Sequence, residues 1–231
     1  LRTIQEERRP TVERVLEQQV AGVLRKLGFT TAGMVFPPVR FQFTESPNLM
    51  IVSPRDAIRM EESVHLDPTM PVNEIEKIEQ EVAAKTDRST LIEGTGGFSS
   101  YPTMVLQSSS LRWVIETVAH EWAHTYLTLR PLGWKYGSSG GMRTINETVA
   151  SIFGDEISRM VMDEYYGDMT GPDPWPRPLS MDPGWLSPVA MEPDFEFGAF
   201  MRETRLRTDE LLAQGKVVAA EQYMEMRRLD L

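Results

Sequence analysis

The sequence predicts an α+β fold, with a small sheet toward the N-terminus and a mainly helical second half. Three observations carry this expectation. Between residues 35 and 107, short alternating or apolar stretches are broken by prolines and glycines, the pattern of short strands joined by turns. From residue 111 onward, apolar side chains recur at three- and four-residue steps, the period of one-sided helices. The chain then ends in two further helical patterns that meet at Gly215.

Taken in order, residues 11–27 place Val12, Val15, Leu16, Val20, Val23, Leu24 and Leu27 on one face, and Gly28 closes that helix. The alternation Val39-Arg40-Phe41-Gln42-Phe43 and the run Leu49-Met50-Ile51-Val52 read as strands, punctuated by prolines 37, 38, 47 and 54. Residues 72–85 form a second helix, with Ile75, Ile78, Val82 and Ala83 inward and Glu74, Glu76, Glu79 and Glu81 in water. Residues 89–107 read as strand, glycine loop (Gly94, Gly96, Gly97) and strand (101–107), and Ser108-Ser109-Ser110 suits a helix start. Long helices are expected over 111–129 and 145–166. A proline-rich arm with Trp175 and Trp185 follows, then a helix pair at 195–214 and 216–228.

Composition narrows the function. The 231 residues are 41% hydrophobic and 25% charged, which fits one large or two small globular domains. A net charge of −10, from 24 Lys+Arg against 34 Asp+Glu, opposes a nucleic-acid partner held through phosphates and a polybasic membrane patch. Cysteine is absent, so any metal must be held by nitrogen and oxygen. No apolar run reaches the roughly 18 residues of a membrane span, so a soluble segment without membrane contact of its own is expected. The start at Leu1, without methionine, fits a processed or excised segment and leaves open an upstream leader or anchor, and with it the localisation.

The chemistry concentrates in His120-Glu121-Trp122-Ala123-His124, in the middle of a strongly periodic helix. At about 100° per residue the two imidazoles leave one face a turn apart, and both can reach a single ion at about 2.0–2.1 Å. Glu121 stands beside them, able to address a ligated water. The core stripe of that helix, Leu111, Val114, Ile115, Val118, Trp122 and Leu129, lies on the other side; the histidine face also carries Trp113 and Thr117 and lines a cleft or a second layer. Only three histidines exist, so chance is a poor source for the motif.

A hydrolytic zinc keeps three protein ligands and one open position. The extended pattern H-E-x-x-H-x-x-G-x-x-H is excluded by Leu127 and Arg130. His65 fits a satisfied strand-end histidine. Glu147, in Asn146-Glu147-Thr148-Val149-Ala150, is the better third ligand, although Thr144-Ile145-Asn146-Glu147 also fits a helix-start capping box. Glu147, Ala150, Ser151, Gly154 and Ser158 share a face whose small residues permit close helix packing, and this favours the ligand role.

His120-Glu121-x-x-His124 followed by Asn146-Glu147-x-x-Ala150 resembles the gluzincin metallopeptidases, the thermolysin-like and alanyl-aminopeptidase-like enzymes whose third zinc ligand is a downstream glutamate. The similarity covers residues 103–153. It implies a zincin-like metallopeptidase domain over 1–231, comprising an N-terminal helix and sheet part (1–110), metal-binding helices (111–167), the proline-rich arm (168–194) and a C-terminal helix pair (195–231). It also implies one Zn²⁺ on His120, His124 and Glu147, with Glu121 as general base. Ser151 stands where thermolysin-like members have an aspartate that orients a zinc histidine, so the chain looks closer to the aminopeptidase-like form. Asp155 and Glu156 are then the candidates to orient a histidine.

The expected reaction is hydrolysis of a peptide or protein substrate. Zinc-activated water attacks, and Glu121 carries the proton to the departing amine. Tyr136 is the first candidate to stabilise the oxyanion, followed by Tyr126, Tyr166, Tyr223, Arg202 and Arg205. The strand at 101–107 is either a sheet edge that holds an extended peptide or an interior strand, and the proline-rich arm is a further candidate to cover that cleft. The rival readings are a catalytically silent metal-binding scaffold and a hydrolase of a non-peptide bond. Side-chain preference, endo- or exopeptidase action and oligomeric state have no signal in the sequence.

Overall fold

The computed structural model describes residues 2–167 and 197–230; the proline-rich arm falls outside them. The architecture is mixed α+β, with small sheets in the N-terminal half and a mainly helical C-terminal half. The chain divides into two compact units. One comprises residues 1–50, 63–76 and 91–169, the other 51–62, 77–90 and 170–231.

In the first unit, helix α1 (Arg2–Lys26) begins well before the expected start and runs through Pro10. Leu16, Val20, Val23 and Leu24 are buried as the periodicity requires, whereas Val12 and Val15 are exposed. Gly28, at φ 85°, ends the helix, and Phe29 N–H returns to Leu24 O at 3.0 Å. A two-stranded ribbon follows, β1 (Thr30–Thr31) with β2 (Met34–Val35). Next come β3 (Phe41–Phe43), β4 (Asn48–Pro54), β5 (Glu62–Leu66), helix α2 (Val72–Thr86), β6 (Arg88–Gly94), β7 (Gly97–Phe98) and β8 (Thr103–Val105). Ile75, Ile78 and Val82 of α2 are half-buried, but Ala83 is exposed.

Two three-stranded sheets form. One has the order β5-β4-β6, and its strands carry residues of both units. The other, β3-β8-β7, builds the site. Here β8 is central, parallel to β3 and antiparallel to β7. Of the strand expected at 101–107 only Thr103–Val105 forms, as the interior strand, and the edges are β3 and β7. The expected glycine loop is also corrected, because Gly97 is a strand residue.

The two edges differ. Three residues of α1 at four-residue spacing close the edge of β3: Glu17 accepts from Phe41 N at 3.0 Å, Glu13 accepts from Phe43 N at 2.7 Å, and Arg9 donates to Phe43 O at 3.4 Å. Among the described residues no strand pairs with the outer edge of β7. Leu106 N donates to Gly96 O at 3.0 Å, so by antiparallel alternation Gly97 is not hydrogen-bonded to Val105 opposite and turns its N–H and C=O to that outer edge.

Helix α3 (Leu111–Leu127) is capped by Ser110, whose side chain accepts from Trp113 N. Its apolar stripe, Val114, Ile115, Val118 and Trp122, is buried with residues of α1, β3, β8 and the following long helix, while Leu129 lies beyond the helix and is exposed. Phe29 meets Trp122, Tyr126 and Phe153 edge-on, and Trp122 donates to Pro37 O at 2.8 Å. After the short α4 (Pro131–Trp134), helix α5 (Gly140–Tyr166) packs along α3 through Ala150, Gly154, Ile157, Ser158 and Val161, all buried. Ser151, expected on that face, is exposed.

In the second unit, α6 (Phe197–Ala213) and α7 (Val217–Leu229) form the expected pair, turning at Gly215 with φ 70°. Leu211, Leu212 and Ala220 pack together with Val217 and Tyr223. Arg55 binds Glu221 through two nitrogens at 2.7 Å and Asp87 at 2.7 Å. Among the described residues no helix is long and apolar enough to cross a membrane.

A Cβ on Gly154 would lie 2.8 Å from Glu116 O and 3.2 Å from His120 Cβ. Gly154→Ala is expected to lower unfolding stability by about 1–3 kcal/mol, as overpacking of a helix interface does. Gly140→Ala, which meets nothing within 4 Å, is expected to cause no loss. Denaturant midpoints of the two variants check this; equal midpoints would contradict it.

Candidate metal centre

Two helices build the centre. α3 carries His120 and His124 one turn apart, and α5, held close by Ala150 and Gly154, brings Glu147 opposite them. The two Nε2 atoms stand 3.0 Å apart, and Glu147 Oε2 is 3.6 Å from that of His120 and 3.3 Å from that of His124. A triangle with these sides has its centre roughly 1.9 Å from each corner, close to the 2.0–2.1 Å of zinc bonds to imidazole and carboxylate. His120, His124 and Glu147 thus form a group that could hold a metal ion.

The capping-box alternative for Glu147 is removed by where α5 starts. The N-cap is Ser139, whose hydroxyl accepts from Met142 N at 3.2 Å, so Glu147 sits two turns inside the helix with its carboxylate free for the histidines. Two imidazoles and a phenol surround that carboxylate. Burial alone would raise its pKa, but hydrogen bonds with His120, His124 and Tyr136 outweigh burial and take it well below the usual carboxylate range. Tyr136, between α4 and α5, donates to Glu147 Oε1 at 2.6 Å. Burial, followed by that bond, pushes the phenol up to about 12. Arg143 lies over the Tyr136 ring, 5.3 Å from its centroid.

His124 is oriented by a residue the sequence reading missed. Asn146, only 1% exposed, sets Oδ1 2.8 Å from Nδ1; accepting that proton leaves Nε2 with its lone pair toward the ligand triangle. Its position next to Glu147 was the available signal, obscured by the capping-box pattern. Asp155 and Glu156 do not serve this purpose: Asp155 pairs with Arg112 and Arg159, and Glu156 pairs with Arg159.

Glu121 is buried at 9% exposure. Desolvation raises its pKa; the His120 and His124 charges pull it back in part, and Glu147 adds to the rise. The Glu121 side chain lies against the backbone of β7, within a ridge of α3 spaced by four residues. Trp113 abuts Gly96, Thr117 and Glu121 abut Gly97, and Ser99 Oγ meets Glu121 O at 3.2 Å and Thr125 Oγ1 at 3.1 Å. The second layer facing Trp113 and Thr117 is this strand and its flanks.

Other candidates lie elsewhere in the fold. Tyr126 stacks on Trp122 and its hydroxyl accepts from Arg130 at 3.0 Å. Tyr166 donates to Gln19 at 2.9 Å. Tyr223, Arg202 and Arg205 belong to the second unit, where Arg205 pairs with Asp209 at 2.7 Å. His65 is exposed on β5 with its ring 4.8 Å from that of Phe98, and it is not part of the metal group.

Comparison of the chain with protein-family models, with curated proteins and with solved structures finds no match.

Two outcomes follow. Asn146→Ala is expected to weaken zinc affinity by about 10–100-fold, as loss of a ligand's supporting hydrogen bond does; unchanged affinity in a chelator competition would contradict this. Burial lowers the His124 pKa, but the Glu147 bond and charge raise it further, so its net shift is upward. Proton and metal compete for the same nitrogen, so affinity should climb about tenfold per pH unit until His124 is neutral, above the ordinary imidazole value of about 6.5. A flat profile through that range would contradict this coupling.

Proposed function

We propose that the protein is a zinc-dependent peptidase in which His120, His124 and Glu147 hold the cation and Glu121 is the general base. The resemblance to gluzincins supports this reading, and the observation that carries it is the environment of Glu121. A carboxyl group at 9% exposure is costly, and the charges that act on it among the described residues are those of His120, His124 and Glu147, the metal group itself. A silent metal-binding scaffold would give that buried carboxyl nothing to do.

His120, His124 and Glu147 would hold the zinc, which when bound would supply a Lewis acid and lower the pKa of a ligated water from 15.7 to about 7. Glu121, with its proton affinity raised by burial, takes the proton as the water attacks and returns it to the departing amine. Tyr136 donates to Glu147 and, released from it, would be a phenol beside the ligand group able to donate to the charge that develops on the carbonyl oxygen.

The sheet favours a peptide over other substrates. α1 side chains close one edge, and the other edge, Gly97, turns its N–H and C=O outward on the strand that touches Glu121. An extended chain added there gains main-chain hydrogen bonds regardless of its side chains.

Glu121→Gln is expected to bind one zinc per chain with affinity like the parent while hydrolysis of a fluorogenic peptide library falls about 10²–10⁴-fold. Undiminished cleavage by the variant, or a zinc-loaded parent that cleaves nothing, would contradict the proposal.

A further inference from the structure

We propose that Gly97 is the positioning residue for Glu121: its missing side chain sets where the carboxylate stands relative to the metal ligands. This inference rests on the peptidase reading above. A Cβ at residue 97 would lie 2.8 Å from Glu121 Oε1, 2.9 Å from Glu121 Cγ and 2.7 Å from Thr117 Cγ2, well inside the roughly 3.5–4.0 Å of a carbon contact. The backbone of Gly97 is not in the left-handed region, so its dihedrals accept alanine and the requirement for glycine is one of space.

The surroundings decide which group gives way. Thr117 is tied by its hydroxyl to Trp113 O at 2.8 Å, so its methyl cannot turn aside without losing that bond. The Glu121 backbone is held where its carbonyl accepts from Ser99 and from Thr125, each at 3.2 Å. The Glu121 side-chain torsions are the softest degree of freedom at this contact, and the Thr117 methyl at 2.7 Å presses the new group toward them. A methyl group at 97 therefore drives the carboxylate off the strand and out of its place beside the histidines. The same residue offers its N–H and C=O to the free edge, so one glycine fixes both the register of an added peptide strand and the location of the base.

Gly96 supplies the control. A Cβ there would press on the Trp113 ring at 2.7 Å, an equally tight contact in the same segment, without touching Glu121. Gly97→Ala, Gly96→Ala and the double variant Gly97→Ala/Thr117→Ser are compared as zinc-loaded full chains. The readouts are zinc affinity, kcat and KM on a peptide found by library digest, and crystal structures.

In Gly97→Ala the carboxylate is expected to shift by about 1 Å and kcat to fall about 100-fold, with KM and zinc affinity within about threefold of the parent. Gly96→Ala should keep kcat within about threefold, and the double variant, which removes the Thr117 methyl, should recover about tenfold of the loss. An unmoved carboxylate, an unchanged kcat, or an equal loss in Gly96→Ala would overturn the proposal. If Gly97→Ala does not fold, the double variant carries the same comparison with Gly96→Ala. A parent that binds zinc and cleaves nothing would fell the peptidase reading and the catalytic half of this one, while the crystal structures still decide whether Gly97 sets the carboxylate.

Discussion

The site depends on how closely two helices lie. Gly154 of α5 faces the backbone of α3 at Glu116 and His120 with no room for a methyl group, and Ala150 is fully buried one turn earlier. That approach lets a carboxylate as short as that of Glu147 reach imidazoles on the neighbouring helix and complete a triangle of metal-bond dimensions. A larger residue at 154 would widen the gap at the position where the ligands must meet.

Around this contact, two of the three candidate ligands are steadied by neutral groups. Asn146 holds His124 by its far nitrogen, and Tyr136 holds the outer oxygen of Glu147. Neither partner adds a formal charge, so the net charge of the ligand set remains that of one carboxylate, suited to a dication with an open position. Farther along α5, Asp155 ties α5 to α3 through Arg112, and Arg159 pairs with Asp155 and Glu156 within α5, so these carboxylates do not tune the histidines.

Much of this was legible in the sequence because it is local. The spacing of His120 and His124 and the small face of Ala150, Gly154 and Ser158 follow from helical periodicity, and the cap at Ser110 and the turn at Gly215 follow from residue type. The sheet was not legible. β8 finds its parallel partner β3 some 60 residues away, and strands of two or three residues carry too little alternation to reveal which is central, so the strand at 101–107 could not be assigned as edge or interior beforehand. Gly96 and Gly97 read as a loop because glycine signals turns. Their actual reason, room for Trp113, Thr117 and Glu121, exists only once α3 is packed on them. Asn146 was hidden for a related reason: α5 begins at Gly140 rather than at 145, which moves Asn146 from a presumed first turn into the buried face.

The most direct measurement is anomalous diffraction at the zinc edge from crystals of the zinc-loaded protein. The account predicts a single strong peak per chain, at about 2.0–2.1 Å from Nε2 of His120, Nε2 of His124 and Oε2 of Glu147. A peak elsewhere, or none between the two imidazoles with Glu147 turned away, would contradict it.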